Sequence, residues 1–238
     1  MALASRRQKF MTEEIWTTTD SYFESQLLDA DPSLDAVMAA NASAGLPPHD
    51  VTALQAKFLH LLVRLHNSHR ILEIGTLGGY STVWLARALP PGGSVTTLEL
   101  NSLHADVAAQ NFENCGVSSR IDIVRGDACA SLERLVSDAV EPFDFVFIDA
   151  DKASNVQYFR WCLRLVADRA VIVVDNVVRD GAVVDDSSID PSVAGIRDLV
   201  AVLNREPCVS ATAVQTVGRK GYDGFIVACV NRPATVPA

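Results

Sequence analysis

Four residues in the second half of the chain combine the types needed to hold a metal ion and move a proton. Asp149 and Lys152 close the apolar run FVFIDADK (145–152), and Asp175 and Asn176 close VIVVDN (171–176). Apolar runs of this kind read as buried parallel strands, and neighbouring strands lie about 4.8 Å apart. Carboxylates at two adjacent strand ends can therefore reach one ion through oxygen bonds of about 2.1 Å. Asn176 adds a neutral oxygen. Two carboxylates, an amide and open water positions suit Mg²⁺, with Mn²⁺ or Ca²⁺ as alternatives, and the set lacks the Cys and His that zinc prefers. Each acidic residue taken singly also fits a plain strand-end cap. Lys152 can serve as a general base, because burial and a nearby cation both favour its neutral form. An exposed lysine in the first turn of a helix is the other reading.

A second set of residues lies nearer the N-terminus. RILEI (70–74) runs into Gly75-Thr76-Leu77-Gly78-Gly79-Tyr80-Ser81, where glycines allow a sharp turn and close approach to a ligand. The G-x-x-G-G spacing is not the G-x-G-x-x-G of dinucleotide enzymes, and a tight turn without a ligand fits it too. SVTTLE (94–99) ends in Glu99, followed by Leu100. A carboxylate at that strand end can accept both hydroxyls of a ribose, or simply face solvent. Gly126-Asp127-Ala128 follows the third strand, where an adenine edge can rest. Together the segments describe a pocket for an adenosine-containing ligand, with no Walker lysine for a triphosphate.

Bringing these residues together requires an ordered set of strands and helices. Strand-like runs at 70–74, 94–99, 121–124, 143–149 and 170–175 alternate with helical patterns at about 80–89, 102–115, 129–139 and 153–166. Such alternation predicts a Rossmann-like, doubly wound α/β sheet, with ligands bound above the strand ends where the sheet order reverses. Residues 52–66 carry apolar side chains at 54, 58, 61, 62 and 65, the spacing of an amphipathic helix. The runs 209–217 and 224–230, joined by GRKGYD, read as an antiparallel hairpin. Helical stretches at 20–30 and 33–44, broken at Asp31-Pro32, make residues 1–50 a helical extension ahead of one domain over 51–238.

Composition narrows the function. With 49% hydrophobic and 21% charged residues, the 238-residue chain is not predominantly disordered. A net charge of −9 argues against a nucleic-acid-coating or membrane-surface protein, and no apolar run approaches the roughly 20 residues that cross a bilayer. The N-terminus MALASRRQKF lacks the apolar stretch of a secretory signal, which predicts a cytoplasmic protein. The five cysteines are odd in number, scattered and without C-x-x-C, so they read as reduced thiols, mostly small core residues. His60, His66 and His69 read as solvated residues of a helix end, and Trp84, Phe159 and Trp161 as core.

In combination, LEIGTLGGYST (72–82), TLELN (97–101), GDA (126–128), FVFIDADK (145–152) and VVDNVVRDG (173–181) resemble the class I S-adenosylmethionine-dependent O-methyltransferases of the caffeoyl-CoA and catechol type. QTVGRKGYDGFIVA (215–228) resembles their bacterial branch, and the likeness spans roughly residues 45–230. The resemblance implies a seven-stranded sheet in the order 3-2-1-4-5-7-6 with the last strand antiparallel, and a homodimer involving the N-terminal helices. It implies that Val51, Glu73, Gly75, Thr76, Ser81, Glu99, Leu100, Ala128 and Asp149 bind S-adenosylmethionine. It further implies that Asp149, Asp175 and Asn176 hold a divalent cation, and that Lys152, beside Asp149, is catalytic. The implied acceptor is a small catechol-like or phenolic hydroxyl. Two segments, Ala153-Ser154-Asn155 and LPPHDVT (46–52), depart from the plant pattern and weigh against a plant-type CoA ester. Related bacterial proteins that modify hydroxylated tRNA bases supply the alternative acceptor, against which the net charge weighs.

Overall fold

The computed structural model of the chain describes residues 2–232, the first ten of them by backbone alone. Its strands are β1 (Arg70–Ile74), β2 (Ser94–Glu99), β3 (Ile121–Arg125), β4 (Phe143–Ile148), β5 (Val166–Asp175), β6 (Val209–Gly218) and β7 (Gly221–Val230). Its helices are α1 (Ala2–Leu27), α2 (Pro32–Ser43), α3 (Ala53–His66), α4 (Tyr80–Ala88), α5 (Ser102–Asn114), α6 (Ala128–Ser137), α7 (Asn155–Leu165) and α8 (Pro191–Leu203). The strands form one sheet in the order β3-β2-β1-β4-β5-β7-β6, with β1 to β5 parallel and β7 antiparallel to both its neighbours. This is the predicted order.

Two cores explain why the central strands read as largely apolar runs. Leu72, Ile74, Val146, Ile148, Ile172 and Val174 pack on one face with α6, α7 and α8. Ile71, Val95, Phe145, Phe147 and Val173 pack on the other with α2, α3, α4 and α5. Successive side chains of a strand point to opposite faces, so a sheet covered on both sides has no polar face to alternate with.

The ends of the parallel strands are held level. Gly75 N donates to Leu98 O at 3.0 Å, Asp149 N to Ile74 O at 2.9 Å, and Gly126 N to Glu99 O at 2.9 Å. Each loop thus leaves its strand while still bonded to the neighbour, which fixes where the first loop side chain points.

Several elements differ from the sequence reading. Strand β5 begins at Val166, because Phe143 pairs with it across a register shift before the regular pairing resumes at Phe145. Helix α1 reaches back to Ala2, and α8 lies in a stretch that the sequence reading left without an element. Its signals were present: Asp190 caps it by accepting from Ser192 N, Pro191 opens it, and Val193, Ile196, Leu199 and Leu203 form its buried stripe. The GRKGYD link shortens to a two-residue turn, Arg219-Lys220, between the paired Gly218 and Gly221. The five cysteines are free, with only Cys162 fully buried and the others half-buried.

Candidate active site

Strand β1 delivers Gly75 to the centre of the carboxyl edge of the sheet. Its φ is +99°, and a Cβ there would overlap the Asp149 carbonyl. Glycine is required on both counts. Two residues before it, Glu73 has no exposed surface and accepts from the hydroxyls of Ser81 (2.6 Å), Thr82 (2.5 Å) and Thr97 (2.7 Å). It ties β1, β2 and the first turn of α4 into one unit under the glycine loop. Burial is the largest cause raising its pKa from 4.5 to about 7, with the Asp149 charge adding and the three hydroxyls opposing. From the next strand, Glu99 accepts from the amides of Thr76 (3.1 Å) and Leu77 (2.8 Å) with one oxygen and from Asn101 N (2.9 Å) with the other.

On the other side of β1, Ile148 pairs with Val174, so Asp149 and Asp175 stand level at the ends of adjacent strands. Asp175 is buried and accepts from Asn176 N at 2.7 Å. Burial, and then repulsion from Asp149, raises its pKa, while Lys152 acts in the opposite direction. Lys152 is itself buried, in a 3₁₀ turn over residues 152–154 ahead of α7, and its Nζ lies 2.8 Å from Asp149 Oδ1. The sequence allowed an exposed lysine here; the turn instead directs it into the site. Asp151 shapes that turn by accepting from Ser154 N at 3.1 Å and from the Tyr158 hydroxyl. Gly195 of α8 seats against it, since a Cβ there would overlap the Lys152 carbonyl.

No three His, Cys, Asp or Glu side chains converge as a metal set among the described residues. The candidate set is two carboxylates and an amide: Asp149, Asp175 and Asn176. Its chemistry fits a hard divalent cation, because both anionic members are oxygen donors and the buried one is destabilised by the other's charge. The Asn176 backbone, at φ +56°, holds a half-buried amide that bonds to no other described group.

These features line one cleft of about 1360 Å³, larger than the roughly 300–1000 Å³ that one small ligand takes. Val51, Gly75, Thr76, Ser81, Glu99, Leu100 and Ala128 line it together with Asp149, Lys152, Asp175 and Asn176. Glu73 lies beneath, reaching the cleft through Ser81 and through the Thr97 hydroxyl, which bonds to that of Thr76 at 2.6 Å. His49 and His104 also line the cleft, His104 with its Nδ1 3.5 Å from Glu99 Oε1, while His60 bonds to Trp84 O and His66 lies between Ser68 Oγ and Arg169 O, away from the cleft.

Sequence reasoning missed part of the wall. Lys220, at the tip of the β6–β7 hairpin, donates to the carbonyls of Pro48 (3.3 Å) and Asp50, closing the hairpin onto the loop that carries Val51. Burial pushes its pKa down, against the pull of Asp50, Asp149 and Asp175. Asp50 also lines the cleft. Its carboxylate accepts from Asn41 Nδ2 at 2.9 Å, and Asn41 in turn accepts from Asn111, which also bonds Gly78 O at 2.8 Å. A buried polar chain therefore links the hairpin tip to the glycine loop. Asp223 Oδ1 accepts from the amides of Val178 and Arg179. About 170 residues separate Lys220 from Asp50, and no periodicity in the sequence relates them.

A family model described as O-methyltransferase matches residues 24–226. A catechol O-methyltransferase of Mycobacterium tuberculosis is 48% identical over 212 residues, covering 89% of this chain and 94% of that one. A catechol O-methyltransferase of Niastella koreensis is 44% identical over 221 residues, 93% of this chain and all of that one. The crystal structure of an O-methyltransferase from Bacillus cereus in complex with SAH has TM-score 0.91 and 51% identity, covering 92% of this chain and 100% of that chain.

Proposed function

The chain belongs to the O-methyltransferase family, and on that premise we propose that it moves the methyl group of S-adenosylmethionine to one hydroxyl of a catechol-like or phenolic acceptor, with a divalent cation bound. That it is an S-adenosylmethionine-dependent O-methyltransferase follows from the family and from its close structural neighbour in complex with SAH, the product left when the donor loses its methyl. Metal dependence and the acceptor are our reading. The observation that carries it is the level placement of Asp149 and Asp175 at adjacent strand ends, with the Lys152 Nζ 2.8 Å from Asp149, in the cleft that also holds the glycine loop.

The reaction forms a C–O bond as the sulfonium S–C bond breaks, and the hydroxyl proton must leave. A free phenol has a pKa of about 10, so at neutral pH a base must take that proton. Lys152 is the base, and its buried turn keeps the Nζ beside Asp149. Asp149, Asp175 and Asn176 would hold the cation, which would supply Lewis-acid stabilisation of negative charge on the acceptor oxygen. Val51, Gly75, Thr76, Ser81, Glu99, Leu100 and Ala128 would hold the donor, with Glu99 toward the ribose, Ala128 toward the adenine and Val51 toward the amino-acid end. Asp149 serves both ligands. Glu73 acts through Ser81, Thr82 and Thr97 as a positioning residue. The cleft walls orient the acceptor oxygen in line with the methyl group, which is where most of the acceleration available from proximity comes from.

Of the cationic side chains that the tRNA alternative would draw on, Arg160 and Arg179 bond to no other described group, and the other four are engaged within the chain. Arg219 pairs with Glu24, Arg197 donates to backbone carbonyls, Lys220 to Pro48 and Asp50, and Arg164 stacks on Trp161. Phosphate readers keep such groups free for the backbone. The proposed homodimer is supported by the exposed apolar side chains Ile15, Tyr22, Phe23 and Leu27 on α1 and Leu61 and Leu65 on α3. No helix among the described residues is long and apolar enough to cross a membrane. Labelled S-adenosylmethionine incubated with catechol, a caffeoyl ester and tRNA, each with and without Mg²⁺, tests the acceptor: label on catechol with Mg²⁺ is expected, and label on tRNA alone overturns the proposal.

A further inference from the structure

The cleft is rich in carboxylates, and of the three Lys and Arg side chains in its wall one bonds to no other described group. Lys152 is paired with Asp149, and Lys220 is engaged by two backbone carbonyls. Arg179 also lines the cleft, half-buried, yet among the described residues its guanidinium makes no hydrogen bond or ion pair; only its backbone is engaged, the amide by Asp223 and the carbonyl by Ala182 N. We infer that Arg179 binds a carboxylate carried by the acceptor, on the far side of the aromatic ring from the reacting hydroxyl. This deepens the proposed function and rests on it. The acceptor class becomes an aromatic diol acid.

The backbone around Arg179 supports a placed side chain. Asn176, Arg179 and Asp180 have φ of +56°, +56° and +54°, followed by Gly181 at +84°. Side-chain-bearing residues rarely adopt this region, and they persist there only where the surroundings over-determine them. Four consecutive amides supply that constraint. Val177 N donates to Gly224 O and Asp180 N to Tyr222 O, both at 3.0 Å, while Val178 N (2.9 Å) and Arg179 N (3.1 Å) share Asp223 Oδ1. Strand β7 therefore clamps the segment and fixes the direction in which Arg179 leaves it.

Position and chemistry agree. Arg179 follows Asn176 by three residues, a separation of at most about 10 Å even in an extended chain. A diol held at Asp175 and Asn176 thus has its opposite ring edge within reach of a long arginine side chain. A guanidinium presents a rigid fork of donors that matches the two oxygens of a carboxylate. It would also offset the repulsion that Asp50, Asp149, Asp175 and Asp223 exert on an anionic acceptor entering the cleft.

The test compares 3,4-dihydroxybenzoate with its methyl ester, the same diol with and without the charge, at saturating S-adenosylmethionine and Mg²⁺. Wild type, Arg179→Gln and Arg179→Lys are assayed, and the readout is the ratio of kcat/KM for acid to ester, which cancels the effect of the ester on ring acidity and any general loss of folded enzyme. Arg179→Gln is expected to lower that ratio roughly 10- to 100-fold, mainly through KM for the acid, the range for a hydrogen bond to a charged group. Arg179→Lys should recover part of it. An unchanged ratio in Arg179→Gln, with both diols methylated, overturns the role of Arg179 and leaves the methyl-transfer reading standing. Methylation of neither diol overturns that reading, and this inference with it.

Discussion

Replacing Glu73 by Gln should make the protein more stable above neutral pH while weakening it in mild acid. Glu73 is fully buried with a pKa raised from 4.5 to about 7, chiefly by burial. In the window between those values the folded chain holds a proton that the unfolded chain has released. Its favourable contribution is therefore complete below about pH 4.5 and is lost as pH rises to about 7. The displacement, about 7 less 4.5, corresponds at 1.36 kcal/mol per unit to about 3 kcal/mol. Glutamine cannot ionise, so this loss disappears. Its oxygen can accept from Thr82 and Thr97 as Glu73 does, and the Ser81 hydroxyl can turn to accept from its amide, leaving a cost of about 1 kcal/mol for altered hydrogen bonds. Urea unfolding of both proteins at pH 5 and pH 8 measures the effect. Between those values wild type should lose about 2–3 kcal/mol more than Glu73→Gln. Asp175 titrates with the same sign but is present in both proteins, so it cancels in the difference. Parallel pH dependences would refute the reasoning, because they would mean that the three hydroxyls hold the carboxylate ionised despite its burial.

Other outcomes follow from the same geometry. Lys152→Ala should lower kcat by about 10²–10⁴ while the dissociation constant for S-adenosylmethionine stays within a few-fold, measured by single-turnover rates and calorimetry. Asp175→Asn should abolish the rise in melting temperature that millimolar Mg²⁺ gives wild type; an equal rise in the variant would remove Asp175 from the ligand set. Gly75→Ala should destabilise the fold by at least about 1–3 kcal/mol, from the positive φ alone, and its overlap with the Asp149 carbonyl should also depress turnover; wild-type stability in urea would contradict the close approach of β1 and β4.

Much of the site was legible because its residues sit at strand ends. Each of β1, β2, β4 and β5 carries buried apolar residues into its carboxyl end, and the residues that close or follow it, Gly75, Glu99, Asp149 and Asp175, are where a parallel sheet presents its ligands. The order of the sheet was legible only through the resemblance of the motifs. Residues whose role depends on long-range packing were not legible. Lys220 reads as a turn residue until the hairpin folds back over residues 48–50, and Arg179 reads as one arginine among several until its neighbours are seen to be paired and it is not. Glu73 shows the opposite case: the sequence placed it among donor-binding residues, and the fold takes both its oxygens for internal hydroxyls. Helix α8 was missed although its cap and stripe were written in the chain, because the stretch before it, with Gly181 and Asp185 to Asp190, reads as loop. The division into a 1–50 extension and a 51–238 domain remains our proposal, with Asp20 and Asp50 from the extension lining the cleft.

The central claim is that methyl transfer needs a divalent cation held by Asp149, Asp175 and Asn176. It is tested most directly by following methyl transfer from labelled S-adenosylmethionine to catechol by wild type, first stripped of metal with chelator and then titrated with Mg²⁺. The account predicts background transfer in chelator and saturable recovery with Mg²⁺. Transfer to catechol at full rate in the stripped enzyme would contradict it.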